Sequence, residues 1–161
     1  METIYFDTLQ FVYHLGLAIL VGGAVVLGAA AAPAIFASVR SRGEAGAIFG
    51  AVLGRYDGLA ILCVLLVVVT SVMKATAFEV TGVPETRLIV RWIALLILCG
   101  ATLYSSAWAN PVARGIKAQT PGWDDLSDDA PMRREFASLH AGSRRAMTVA
   151  ILAGIVAIFL S

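Results

Sequence analysis

Long apolar runs separated by short polar connections organise this chain. The first run covers about residues 9–36, more than the roughly 20 residues with which a helix crosses the hydrocarbon core of a bilayer. A second covers about 58–77 and a third about 88–109, with Gly82 and Pro84 marking a tight connection between them. The fourth covers about 144–160. That is short for a core of roughly 30 Å, so its helix is expected to start earlier, near Met132, and to emerge into the headgroup region. Pro33 predicts a kink or an end in the first helix, because its ring removes a hydrogen bond. Pro111, Pro121, Gly122 and Pro131, together with Asp124, Asp125, Asp128 and Asp129, predict a solvated loop over 110–131. Asp129, ahead of Ala130 and Pro131, is the expected cap of the last helix. The pattern therefore predicts an all-α fold: a single domain over 1–161, built as a polytopic bundle of four transmembrane helices.

Composition agrees. Of the 161 residues, 59% are hydrophobic and only 14% charged, a balance that makes lipid the main solvent. The net charge of +1 provides no clustered excess of Lys and Arg for phosphate backbones, which excludes a nucleic-acid partner. Charge does set orientation. Arg40, Arg42, Arg55, Arg114, Lys117, Arg133, Arg134, Arg144 and Arg145, nine of the twelve cations, fall on one side of the spans. Cytoplasmic connections hold such an excess, so the connection over 110–140 is expected in the cytoplasm and both termini outside it, in a bacterial-type inner membrane. The run Ala29 to Ala34 could pass for a signal-peptidase site, but the acidic Glu2 and Asp7 and the length of the apolar run predict an uncleaved first helix. Cys63 and Cys99 lie inside apolar runs and form no CxxC pair, so they read as lipid-embedded packing residues.

Gly46, Gly50, Gly54 and Gly58 recur at intervals of four, which on a helix makes one stripe without side chains. Ala24, Gly28 and Ala32 offer the same spacing in the first span. Small residues let helix backbones approach where lipid offers no hydrophobic drive, so the first and second spans are the expected close pair. A conduit or hinge is the alternative role of the stripe.

Several polar residues are candidates for chemistry. His14 and His140 are the only histidines, and two histidines in a membrane bundle suggest haem ligation. They belong to opposite ends of the spans, however, and a single haem cannot take both. A single-histidine haem or metal site competes with a plain hydrogen-bonded interfacial histidine, and no HxxxH, HxH or ExxH pair supplies a second ligand. No resident cofactor is predicted. Arg55 and Asp57 enter the second span two residues apart, on different helix faces, and read as interfacial anchors or as a proton or ion site. Arg87 and Arg91, four apart ahead of Trp92, read with Lys74 and Trp108 as interface anchors, or as a clasp for an anionic headgroup or substrate. The four aspartates of the loop lack the EF-hand pattern. No nucleophile elbow, Walker loop, dinucleotide fingerprint or HExxH motif occurs, and no enzymatic activity is expected.

A set of residues resembles a known family. Gly22-Gly23, Ala32-Pro33, Phe36, Ala45-Gly46, Phe49 and Arg55-Tyr56 are followed by Asn110-Pro111 and by FASLHAGS at 136–143. Together they are similar to the DUF4149 family, the membrane proteins resembling transmembrane protein 205. The resemblance implies four spans and no established activity, and it marks His140 as a residue that holds the loop to the bundle by hydrogen bonding or, as the alternative, binds a metal. The acidic stretch 120–131 departs from it. A looser likeness, confined to His14 and Gly22-Gly23, is to copper-resistance and protoporphyrinogen-oxidase-like membrane proteins. The expected function is that of a structural or accessory component of a membrane assembly, with lipids and other subunits or a second copy as partners. Small-molecule or ion handling, and haem or metal redox work, are the alternatives.

Overall fold

The computed structural model describes residues 2–80 and 82–161; Met1, Thr81 and the side chain of Glu2 lie outside the described residues. Helix α1 (Glu2–Val26) passes through a π turn (Leu27–Ala31) into α2 (Ala32–Ser38). Pro33 therefore does not end the rod. It stands in the first turn of α2, and the π turn before it has already moved the bonding register, with the Ala32 N–H donating to Leu27 O. A proline there gives up no helical hydrogen bond.

Helix α3 (Arg42–Lys74) starts at Ser41, whose hydroxyl accepts the Glu44 N–H at 3.1 Å, the Ser-x-x-Glu arrangement of a capping box. Its 33 residues span about 50 Å at 1.5 Å each. The glycine-rich segment and the second span are thus one rod that outruns a core of roughly 30 Å. A π turn (Ala75–Glu79) ends it, and α4 (Thr86–Leu103) follows a short connection.

The loop expected over 110–131 is shorter than its prolines suggested. A π turn (Tyr104–Ala109) carries α4 into α5 (Asn110–Gln119), with Pro111 in the first turn of α5. The reason is the one that applies at Pro33. Irregular chain is confined to 120–130, around a 3-10 turn at Trp123–Asp125. Helix α6 (Pro131–Phe159) opens on its proline behind Ala130, without a side-chain cap. Asp129, the expected cap, instead pairs with Arg134 at 3.6 Å.

Among the described residues four rods are long and apolar enough to cross a membrane: Thr3–Ser38, Arg42–Glu79, Thr86–Gln119 and Pro131–Phe159. They run alternately up and down. The first packs mainly on the second and the third on the fourth, with the first also against the fourth; the second meets the third largely through the Tyr104–Ala109 π turn and α5, so that α3 and α4 themselves touch little. The centre is assembled from Tyr13, Leu17, Val67 and Leu98 with small residues such as Ala153 and Ala157. Large apolar side chains point outward instead, Leu96 at 74% and Phe159 at 80% exposure. Small inside and large outside is the arrangement that packs helices in lipid, where apolar surface has no reason to hide.

The closest helix approaches fall at glycines outside the predicted stripe. A Cβ on Gly16 would stand 2.7 Å from Val67, and one on Gly23 would stand 2.6 Å from the Tyr56 ring. That ring cannot swing away freely, because the Tyr56 hydroxyl donates to Leu20 O at 2.8 Å. Gly154 likewise meets Val21 across the α1–α6 seam.

Candidate functional site

The rods diverge at the end where α2, α5 and the start of α6 lie, leaving a cavity of about 900 Å³. All four rods line it, and Trp123 of the 120–130 loop closes part of it. Half of the glycine stripe, Gly46 and Gly50, lines this opening rather than a helix contact. Gly46 and Gly50 face Gly28 and Ala32 across it. A Cβ on Gly28, Gly50 or Gly58 would meet nothing within 4 Å, while Gly46 and Gly54 look only onto the ends of Lys117 and Arg114. At the rim Phe36 of α2 and Phe49 of α3 meet with ring centroids 6.3 Å apart, bridging the two helices by side chains. Of the predicted packing residues, Ala24 is buried.

A buried polar network forms the floor of the cavity. Asp57, 3% exposed, accepts from Arg114 Nη1 at 2.6 Å and from Asn110 Nδ2 at 2.9 Å. Asn110 Oδ1 accepts from the Ser143 hydroxyl at 2.6 Å, and Ser143 and Ser105 share a hydrogen bond of 2.7 Å. The carboxylate of α3, the amide of α5, the π-turn hydroxyl and the α6 hydroxyl thus satisfy one another. Arg55 points the other way and is exposed, as the two-residue offset from Asp57 requires. Both charged oxygens of Asp57 are occupied, so the network reads first as a structural tie and second as a place where Arg114 could be exchanged.

An aromatic wall rises from this floor toward the loop. His140 stacks on Phe136 with centroids 6.0 Å apart, and Phe136 meets Trp123 edge-on at 5.2 Å. Arg133 lies over the Trp123 ring at 5.4 Å and donates to Trp123 O at 2.9 Å. His140 therefore faces the cavity within an aromatic stack. Around it stand Arg42, Arg114, Lys117 and Arg144, and no Asp or Glu is among the lining residues.

The opposite end holds a second charged cluster. Lys74 and Arg91, only 1% and 5% exposed, share the carboxylate of Glu79: Lys74 Nζ lies 3.4 Å from Oε1, and Arg91 Nη2 binds Oε2. The Lys74 ammonium also lies 4.6 Å from the centre of the fully buried Tyr13 ring. These cations do not anchor in the headgroups as expected from sequence; they turn inward, because Glu79 at the end of the π turn supplies the counter-charge. Arg87 is exposed and donates to Leu160 O at 3.2 Å. His14 is at this end too, bonded to Gln10 O at 2.8 Å and Ser161 Oγ at 2.9 Å. Since His140 and Ser161 are 21 residues apart along α6 and its end, the histidines stand about 30 Å from each other.

Asn110, Ser105 and Ser143 were not singled out for a site by sequence, nor were Glu79 and Tyr13. The signal available was the rarity of polar residues near apolar runs, and no spacing rule links positions on three different rods.

Four apolar rods around small central residues define a helical multi-pass membrane protein. Residues 15–121, about two thirds of the chain, match the model of DUF4149, a domain of unknown function. The chain belongs to that family. The match takes in Asp57, Asn110 and Arg114 and stops short of FASLHAGS. No curated protein and no solved structure matches the chain, so the narrower likeness to transmembrane protein 205 has no support from these comparisons.

Proposed function

We propose that this is a non-enzymatic inner-membrane protein that takes a small amphiphile into the cavity at its basic end. The positive-inside tendency assigns that end to the cytoplasm, with both termini on the other side. The observation that supports the reading is the cavity: about 900 Å³, set among four rods, with apolar walls and a basic rim. That is near the upper end of the usual range for small-molecule sites. Gly28, Phe36, Ala47 and Ala51 are lining residues exposed to the surroundings, so a molecule can enter from the side. The one hydroxyl among the lining residues, Ser143, is bonded to Asn110 and Ser105 and not to His140, which favours binding over catalysis.

The test uses Gly50→Phe, which fills the cavity from a position with no near neighbour. Wild type and variant are extracted gently from the native membrane, and small molecules in the protein peak are identified by mass spectrometry. An amphiphile that accompanies the wild type and is depleted in the variant supports the reading; equal content in both, or none in either, defeats it.

A second reading, an accessory subunit of a membrane assembly, is favoured by a separate observation. An apolar groove of about 360 Å³ runs along the sparse α3–α4 seam, with Ser71 and Ala75 at its base and Val72, Trp92 and Leu96 beside it. Small residues flanked by large ones suit a partner helix. Proteins co-migrating in the same peak would favour it, and a monodisperse lone protein that still rescues a deletion would defeat it. An absorption spectrum of that peak tests for haem. With the histidines about 30 Å apart, a Soret band would call for only one of them as ligand.

A further inference from the structure

We propose that the cavity selects a phospholipid with a net negative headgroup, its phosphate held between Lys117 and Arg114 and its chains leaving along the apolar wall. The inference rests on the cavity-binding reading above and names the ligand class.

Charge is the first argument. Arg42, Lys117 and Arg144 line the cavity and form no ion pair among the described residues, whereas every lining position lacks a carboxylate. Asp57, beneath the floor, has both oxygens already bonded, and the Asp124 carboxylate, 3.5 Å from where a Cβ on Gly43 would stand, lies at the loop edge and is not among the lining residues. A cavity with this rim has an unanswered positive field, and an anion is the ligand that answers it. Arg114 is the link to the floor. Its Nη1 is engaged by Asp57, yet its side chain is 38% exposed, which leaves other donors of its planar fork facing the cavity, suited to phosphate oxygens.

Depth is the second argument. If Lys74 and Glu79 mark one interface, a core of roughly 30 Å ends about 20 residues back along α3, close to Gly54 and Arg55. Arg114 lies against Gly54, and Lys117 lies against Gly46, so Arg114 stands at the opposite hydrocarbon boundary and Lys117 reaches in from about 12 Å beyond it. The level of lipid phosphates falls in the interval between them. Leu27, Leu53 and Met147 line the same cavity and offer apolar wall on the side toward the core. A free anion would have no use for such a wall, whereas a lipid uses both parts.

Native mass spectrometry of the full chain, exchanged into detergent with equal phosphatidylglycerol and phosphatidylcholine, measures the selection directly. Inorganic phosphate is added in a separate arm. Phosphatidylglycerol should occupy the wild type in clear preference to phosphatidylcholine. Lys117→Gln and Arg42→Gln, neither of which breaks an ion pair, should each lower that preference by about fivefold, the worth of one cation near an anionic surface. Gly50→Phe should remove the bound lipid. Equal occupancy by both lipids, abolished by Gly50→Phe, overturns the headgroup selection and leaves the cavity reading standing. Binding untouched by Gly50→Phe overturns both. Displacement of the lipid by phosphate alone at comparable concentration would make the site one for a soluble anion and overturn the lipid assignment.

Discussion

Ser143 donates to Asn110 Oδ1 at 2.6 Å, joining the fourth rod to the third at the level where Asp57 of the second meets the same amide. This amide is the centre of the tie. Its nitrogen donates to Asp57 and its oxygen accepts from Ser143, so neither neighbour is left unsatisfied. Asn110→Ala takes one partner from each at once, leaving Asp57 with Arg114 alone and Ser143 with Ser105 alone, at a cost of about 1–3 kcal/mol. Thermal unfolding in one fixed detergent should show a lowered midpoint for Asn110→Ala and a smaller loss for Ser143→Ala. Unchanged midpoints for both would remove the network from any account of stability.

The Asp57–Arg114 pair should respond unequally to the loss of either partner. Asp57 is buried while Arg114 is 38% exposed. Arg114→Gln strands a carboxylate away from water, with only Asn110 left to donate, and should cost about 1–3 kcal/mol. Asp57→Asn leaves a guanidinium that water can reach and should cost less. Denaturant or heat titration of both variants checks the order, and the reverse order would show that the arginine is the partner the fold cannot spare.

At the other end Glu79 holds two cations. Glu79→Gln leaves Lys74 and Arg91 buried without a counter-charge, a change of about 3–5 kcal/mol by the general cost of breaking a buried pair. The double variant Glu79→Gln with Lys74→Met should recover much of that loss. If the double variant is no more stable than the single one, the two cations are being neutralised by something other than Glu79.

Glycine substitutions separate contact from opening. Gly23→Ala drives a methyl into the tethered Tyr56 ring and should destabilise by about 1–3 kcal/mol through overpacking. Gly50→Ala meets no neighbour and should stabilise by about 0.5–1 kcal/mol, the helical advantage of alanine. A destabilised Gly50→Ala would return the stripe to its expected role in helix packing.

Orientation is open to a labelling test. Cys63 and Cys99 are buried and free, so a cysteine introduced at exposed Ser127 or Gly82 should dominate reaction with an impermeant thiol reagent. Ser127→Cys is expected to react from the cytoplasmic side and Gly82→Cys from the opposite side. The inverse pattern would place the cavity outside and end the cytoplasmic-leaflet reading.

The spans were legible because each is a local property. A run such as 88–109 must bury its backbone hydrogen bonds within itself once it lies in lipid, and no neighbour is needed to decide that. Pro111 did not open a loop and Pro33 did not end its rod, for an equally local reason. Proline forbids a hydrogen bond at one register, and a π turn just before it makes that bond unnecessary, an adjustment invisible in composition. Lys74 and Arg91 read as surface anchors because their spacing to the span ends is typical of anchors; that Glu79 would fold back between them depends on another π turn.

The sequence by itself determined that this chain forms four membrane-spanning helices, together with the uneven charge at their ends, since hydropathy and charge act residue by residue. Only the tertiary structure decided that Asp57, Asn110, Ser105 and Ser143 share one buried network and that Gly46 and Gly50 open onto a cavity. Both depend on which helix faces meet, and that is set by the fit of side chains distant in the chain, Phe36 against Phe49 and Gly23 against Tyr56 among them.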